Sequence, residues 1–427
     1  MPVPTYDGRR VAFRGRYVFP IDAPPIEDGE LVIANGQIVG ADRAAHGSDS
    51  LDLGNVAILP ALINAHTHLE FSQLKNPLGA AGISFCDWIR AVLAYREQHP
   101  CTASAGIRAG LDESVRAGTA MLGEIATCPP EKFSDYASTA STVLFSEMIG
   151  LSSARVGQQL SAARKLTKKS ASNIPQMHIG LSPHAPYTAH ATLVGQVAQL
   201  SADRRFTVAM HLAETSEEIR LLRDQSGPIQ ELLAQRNLWE PSAFRKGMRP
   251  LDYLRLLAAA HRSLVIHGNF LDDDEIRFLG NRPHRMSLVY CPRTHAYFGH
   301  PRYPLRKMLD FGVNLAIGTD SRASNPDLSL LSEMRYVARN FSDVSSDEIL
   351  RMGTIRGAAA LGADDILGTL SSGKHASFIA VRLPPQDQPD VGRLVLESEL
   401  PLELVVFSGQ PIYATESTAS AVCAKLS

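Results

Sequence analysis

Short β-rich runs alternate with helical stretches through the middle of the chain, and this alternation constrains the fold more than any other feature. The runs cover residues 57–64, 120–125, 142–148, 177–182, 206–211, 263–267, 287–291 and 313–318, eight in all. Helical patterns at residues 105–117, 191–202, 250–260 and 329–339 lie between several of them. Eight alternating units suggest an α/β fold, a (β/α)8 TIM barrel over residues 57–363. A doubly wound open sheet uses the same alternation and is the main rival, because periodicity does not report closure. Residues 215–261 are too long for a simple connection and contain the helical-looking SEEIRLLRD and QELLAQRNLW. They are expected above the barrel mouth, as a lid or specificity element.

The two ends of the chain read differently. ELVIANGQIVGADR, residues 30–43, is a hairpin candidate turning at Asn35-Gly36, a pair favoured in tight hairpin turns. Residues 373–381 and 401–408 again read as strands. Residues 1–56 and 364–427 are therefore expected to combine into one small β-sandwich domain flanking the barrel.

Composition narrows the partners. With 42 Lys+Arg against 44 Asp+Glu, the net charge of −2 leaves no basic footprint for a nucleic-acid polymer and no polybasic membrane anchor. The N-terminal segment lacks a secretory h-region and no apolar run approaches the length of a membrane span, so a soluble cytoplasmic protein is expected. Cys86, Cys101, Cys128, Cys291 and Cys423 are scattered without a CxxC pair, which argues against a disulfide framework or a zinc knuckle. The expected partner is a small-molecule substrate, and self-association as a homodimer is left open.

The polar residues at and just beyond the strand candidates carry the chemistry. His66-Thr67-His68 comes after the first, His184 after the fourth, the fifth ends in His211 with Glu214 beyond it, the sixth ends in His267, and Asp320 comes after the eighth. In a barrel these positions converge on one rim, where barrel active sites form. On an extended strand the side-chain repeat of two turns both imidazoles of HxH to the same side, so both can reach one ion. An isolated HTH tripeptide is weak and has surface or core explanations. The ordered set is a strong signal. His211 and Asp320 can complete a mixed imidazole and carboxylate site for one divalent transition metal, Zn2+ or Fe2+, that lowers the pKa of a bound water. Glu214 can face that site without being a ligand and protonate a ring nitrogen, as the non-ligand Glu of zinc nucleobase deaminases does. Its alternative is a carboxylate stabilised at a helix N-terminus. No lysine lies between Lys169 and Lys246, so a binuclear site bridged by a carboxylated lysine on the fourth strand is disfavoured.

These segments resemble the amidohydrolase superfamily, in its cytosine deaminase-like, metal-dependent aminohydrolase branch. The likeness runs through ELVIANGQIVG, LPALINAHTHLE, SPHAPYT, MHLAET, VIHGN, YCPRTH, GTDSRASN, GAAALG and LGTLSSGKHASFIAV. The resemblance implies metal ligands His66, His68, His211 and Asp320, with Glu214 as proton shuttle and Asp320 accepting a proton from water. It implies that His267 orients the nucleophile, or adds a ligand, and that His184 contacts substrate. Against these stand a buried, satisfied imidazole for His267 and a loop cap for His184.

HTHLEFS, FCDWIR, CPRT and GTDSRASN look most like a subgroup that includes aminodeoxyfutalosine deaminases. The resemblance implies hydrolytic deamination of an aminated purine nucleoside or related heterocycle, with ammonia as the leaving group. Triazine chlorohydrolase, guanine or cyclic-amide hydrolase chemistry and a non-catalytic scaffold are the alternatives. Glu70 is a candidate acceptor for ribose hydroxyls, and Arg293 and Arg322 for pairing with an acidic substrate. A solvated loop carboxylate for Glu70 and a rim salt bridge for Arg293 are the competing explanations. His295 and His300 in CPRTHAYFGH depart from the related pattern, lining the pocket, binding a substrate anion or serving structure.

Overall fold

The computed structural model describes residues 10–44, 50–99, 103–129, 133, 140–169 and 177–426. Cys101 lies outside them. The chain packs as two compact units, Met1–Asn64 with Leu111–Leu122 and Ser329–Ser427, and Ala65–Gly110 with Gly123–Leu328.

Both chain ends meet in one mixed sheet. Its strands are β1 (Arg10–Val18), β2 (Ile26–Ala34), β3 (Gln37–Arg43), β4 (Leu51–Asp52) and β5 (Val56–Pro60), joined by the last three strands of the chain. Asn35 and Gly36, at φ 51° and 73°, make the two-residue turn between β2 and β3. Two left-handed residues give a type I′ turn, whose twist matches the strands it joins. The strands Phe378–Arg382 and Leu402–Phe407 continue the sheet, Phe378–Arg382 pairing antiparallel with β5 while β1 pairs with β5 in parallel. Inward-facing Phe13, Leu31, Ile33, Ile58, Phe378 and Leu404 form one core, with the rings of Phe13 and Phe378 4.9 Å apart.

The second sheet is the barrel. Its strands are β6 (Leu62–Thr67), β7 (Thr119–Ala126), β8 (Ser141–Met148), β9 (Met177–Pro183), β10 (Thr207–Leu212), β11 (Arg262–His267), β12 (Met286–Tyr290) and β13 (Asn314–Ile317). They are hydrogen-bonded in that order, and the pairs from β8 to β13 are parallel. Every residue of β6, β7, β10 and β12 is buried, as expected for parallel strands covered on both faces. The rival open sheet is excluded by the contacts that join the first and last strands. Thr67 and Asp320 form a parallel bridge, and the N–H groups of Thr319 and Asp320 both donate to the His66 carbonyl at 3.1 Å.

Two boundaries differ from the sequence expectation. Residues 57–64 are not one strand. β5 belongs to the end sheet and β6 to the barrel, with Ala61 between them donating its N–H to the Ser377 carbonyl. The units also divide within β6 rather than at residues 56/57 and 363/364. The helices Leu330–Asn340 and Ser346–Met352 pack with the chain end, through Arg393 Nη1 to the Ala338 carbonyl and Ser346 Oγ to Asp390 Oδ1.

Candidate active site

The site lies at the carboxyl ends of the barrel strands. His66 is in β6, and His68 lies just past it with extended backbone, so the two rings face one centre at 4.9 Å. His211 comes from β10 and His267 from the end of β11, their rings 5.0 and 5.7 Å from that of His66. Asp320 closes the group, its Oδ1 3.6 Å from His66 Nε2 and 3.8 Å from His68 Nε2. The ligating atoms of His66, His211 and His267 lie within 4.8 Å of one another, as do those of His66, His68 and Asp320. Four imidazoles and one carboxylate thus surround a single point.

This donor set fits a divalent transition metal. Burial, then the positive potential of His66, hold the His68 imidazole well below its usual range, against the pull of Asp320. Burial does the same to His211, and pushes His267 down to about 3. Neutral imidazoles expose the lone pairs that a cation binds. The Nδ1 of His211 lies 3.1 Å from the His184 carbonyl, which assigns that nitrogen as donor and aims Nε2 at the centre.

The backbone at this rim is bent into left-handed conformation at Ala213, His267 and Asp320, with φ of 54°, 70° and 59°. Such residues cost about 1–3 kcal/mol each and persist where surrounding contacts hold them. The contacts are specific. Tyr303 donates its hydroxyl to the His267 carbonyl at 2.9 Å. The buried carboxylate of Glu218 accepts from the N–H groups of Ala213 at 2.7 Å and Glu214 at 3.2 Å, while Asn269 Nδ2 donates to the Glu214 carbonyl at 2.9 Å. Glu124 takes the N–H of Leu69 on both oxygens, fixing the turn after His68.

Glu214 stands beside the donor cluster and outside the two ligating groups. Its Oε1 is 3.5 Å from His267 Nε2, and its side chain is almost fully buried. Burial, reinforced by the charge of Asp320, pushes its carboxyl well above the usual carboxylate range. Burial alone would raise Asp320 too, but the close imidazoles of His66, His267 and His68 hold it well below that range. Two neighbouring carboxyls are therefore driven in opposite directions, the condition that separates an acid from a base.

A cavity of about 260 Å³ opens above this floor. His68, His184, His211, Glu214, His267 and Asp320 line its base, and Glu147 from β8 joins them, 3.8 Å from His184 Nε2. The Nδ1 of His184 is held by Thr188 Oγ1 at 2.7 Å, which sets its ring. The walls come from the helix Phe85–Gln98 and from the insertion expected above the mouth, whose Ile229, Leu232, Leu233, Arg236 and Leu238 face the cavity.

Three expected substrate contacts do not line it. Glu70 accepts from the N–H groups of Thr127 and Cys128 and from the Thr127 hydroxyl, so its oxygens hold the loop after β7. Arg293 places its fork on Asp327, at 2.6 and 2.9 Å. Arg322 donates Nε to the Leu74 carbonyl at 2.7 Å. Each stands next to a motif residue in sequence, and each is turned away by a partner distant in sequence. His295 and His300 pack with Tyr290, Tyr303, Phe298 and Phe270. Sequence reasoning passes over Glu147, Glu218, Trp88 and Arg236. A carboxylate inside the apolar run of β8 is the available signal for Glu147.

Among the described residues, no helix is long and apolar enough to cross a membrane. Comparison with known proteins gives the lineage. The model of the amidohydrolase family matches residues 57–411. The 5-methylthioadenosine/S-adenosylhomocysteine deaminase of Pyrococcus furiosus is 27% identical over 373 residues, covering 83% of this chain and 82% of that protein. The aminofutalosine deaminase of Helicobacter pylori superposes with a TM-score of 0.80 at 21% identity, over 95% of this chain and 100% of that one. An adenosine deaminase from Xanthomonas campestris with bound zinc gives a TM-score of 0.77 at 23% identity, over 97% of this chain and 96% of that one. With a family match across most of its length, a closed barrel and this donor cluster at the strand ends, the chain belongs to the amidohydrolase family and is a hydrolase acting on carbon–nitrogen bonds.

Proposed function

We propose that the chain is a metal-dependent deaminase that hydrolyses the exocyclic amine of an adenosine-like nucleoside, with one zinc ion as cofactor and a small molecule as its partner. The observation that carries this reading is the buried Glu214 carboxyl, 3.5 Å from His267 and adjacent to the donor cluster. A proton source in that place is what addition of water to a purine ring requires. The deaminase relatives at 27% identity support the same substrate class.

His66, His68, His211 and Asp320 would hold the metal, with His267 beside them. When bound, the metal lowers the pKa of a water and so makes a nucleophile available near neutral pH. Asp320, held ionised, takes the proton that this water gives up. Glu214 delivers its proton to the ring nitrogen next to the attacked carbon; the proton held by Asp320 passes to the departing amine, and the last proton of the added water restores Glu214 as the ring carbonyl forms. His267, whose Nε2 lies 3.5 Å from Glu214 Oε1, would orient the nucleophile. Water and the amine are consumed, and a ring carbonyl and ammonia are formed. Glu147 and His184, facing the cavity from β8 and the loop after β9, are placed to hydrogen-bond ribose hydroxyls.

Among adenosine-like nucleosides, aminodeoxyfutalosine is the specific substrate this reading favours, on the sequence resemblance and the long apolar cavity wall. Ammonia release from zinc-loaded protein, measured across aminodeoxyfutalosine, adenosine, methylthioadenosine, S-adenosylhomocysteine and guanine, tests it. No release from any nucleoside, with turnover of a triazine or cyclic amide instead, would overturn it.

A further inference from the structure

We propose, on the reading of the site as a deaminase, that Tyr303 is a positioning residue for the reaction. Its buried hydroxyl clamps the backbone carbonyl of His267, holds that residue in a strained γ-turn, and so aims the His267 imidazole at Glu214 and the nucleophile.

β11 leaves the strand conformation at one residue. His267 has a φ of 70°, and the N–H of Gly268 donates back to the Ile266 carbonyl at 3.1 Å. A bond of that span around a residue of positive φ is the rarer, strained form of γ-turn, which a residue with a side chain keeps only when its surroundings impose it. The same N–H reaches the Leu212 carbonyl of β10 at 3.0 Å, so β10 secures one side of the turn. On the other side the ladder with β12 ends at Ile266, opposite Val289. The His267 carbonyl, one residue further, takes the Tyr303 hydroxyl at 2.9 Å. The direction of a side chain follows the φ and ψ of its own residue. Were His267 to relax to extended backbone, its Cα–Cβ bond would swing, and its Nε2 would leave the position 3.5 Å from Glu214 Oε1.

Tyr303 is itself held. It is 2% exposed, its ring stacks on that of Tyr290 at 3.8 Å with the planes 14° apart, and His295 meets both rings close to edge-on, at 5.5 and 5.6 Å. A buried phenol hydroxyl requires a partner, and the His267 carbonyl supplies one. The His300 ring backs that of His295 at 5.3 Å. His295 and His300, which depart from the related sequence pattern, thus form the bed on which Tyr303 rests. No residue from Met286 to Tyr303 lines the cavity. The segment after β12 therefore acts on the chemistry through the backbone of a residue 36 positions earlier, without reaching the substrate.

Two altered side chains test the clamp. Tyr303→Phe removes the hydroxyl and keeps the ring stack, and 3-fluorotyrosine at position 303 keeps a hydroxyl that donates more strongly. Kinetics are followed by ammonia release from zinc-loaded protein, on whichever nucleoside of the panel above turns over fastest. Exchange of the Gly268 amide is followed in metal-free protein by deuterium uptake with electron-transfer fragmentation, which resolves single residues. Tyr303→Phe is expected to lower kcat about 10- to 100-fold with KM within about threefold. Its Gly268 amide is expected to exchange about tenfold faster, while the rest of the barrel stays within about twofold of wild type. The fluorotyrosine protein is expected to keep kcat within about threefold and to exchange Gly268 no faster than wild type. Unchanged kcat in Tyr303→Phe beside an active wild type overturns the inference, as does a loss that the fluorotyrosine protein shares. Faster exchange spread evenly over the barrel overturns it too, since that is what a merely structural residue gives. If Tyr303→Phe does not fold, exchange in the fluorotyrosine protein decides, slower at Gly268 if the hydroxyl holds the turn and unchanged if it does not. Gly268-specific loss of protection in a protein whose wild type deaminates no nucleoside upholds the clamp and overturns the deaminase reading.

Discussion

The backbone N–H of Glu214 donates to the buried carboxylate of Glu218 at 3.2 Å, and the same carboxylate takes the N–H of Ala213 at 2.7 Å. Glu218 thereby holds a left-handed turn whose next residue is the proposed proton shuttle. Replacement by Gln puts an amide N–H₂ where one of two N–H groups needs an acceptor. Glu218→Gln is expected to lower kcat about 10- to 100-fold with little change in KM, and Asn269→Ala to act in the same direction. Steady-state kinetics on the preferred nucleoside, with zinc content measured alongside, checks both. A proportional loss of zinc would assign Glu218 to stability instead of positioning.

Glu214 and Asp320 should separate cleanly. Glu214→Gln keeps the donor cluster and removes the proton source, so it should retain zinc and lose about 10²- to 10⁴-fold in kcat. Asp320→Asn removes an ionised donor and should lose both. Metal analysis of the dialysed proteins distinguishes the two, and full activity in Glu214→Gln would remove it from the proposed mechanism.

Barrel closure is packed tightly against His66 of the donor cluster. A Cβ at Gly318 would lie 2.8 Å from His66 Cβ and 2.9 Å from its carbonyl oxygen. Neither neighbour is a flexible side-chain tip, so Gly318→Ala must part the first and last strands. The expected result is a loss of roughly 1–3 kcal/mol of stability together with weaker zinc retention. Thermal unfolding and zinc titration should move together. An unchanged Tm would mean that the bridge between β6 and β13 tolerates the shift.

His295 gives the fold a pH dependence of defined sign. Burial, with a smaller contribution from His300, pushes its pKa down from 6.5 to about 4. Between these values the unfolded chain holds a proton that the folded protein does not, so stability falls as pH drops from about 6.5 to about 4. The full effect is about 3 kcal/mol at the acid end. His295→Phe, which keeps an aromatic ring against Tyr290 and Tyr303, should flatten the Tm profile relative to wild type in that window. A parallel pair of profiles would show that His295 carries no such linkage.

Some of this was legible in the chain because it is local. The alternation of apolar runs with helical patterns, the hairpin at Asn35-Gly36 and the common facing of His66 and His68 depend on neighbours a few residues apart. The ordered polar residues after those runs need only a barrel to converge. They do converge, within 4.8 Å for each ligating group.

Other features depend on partners that no local pattern names. β5 and β6 are both wholly buried, so hydrophobicity does not mark the change of sheet at Ala61; the Ser377 carbonyl, over three hundred residues away, does. Glu70, Arg293 and Arg322 each stand beside a motif, yet Glu70 accepts from Thr127 while Arg293 donates to Asp327 and Arg322 to the Leu74 carbonyl. A charged side chain binds whatever the fold brings within reach, and its neighbours in sequence do not decide what that is. The residue types and their spacing determined the barrel and the composition of the donor cluster at its strand ends. Only the tertiary structure decided which carboxylates brace that site and that Arg96 and Arg236, rather than the expected arginines, face its cavity.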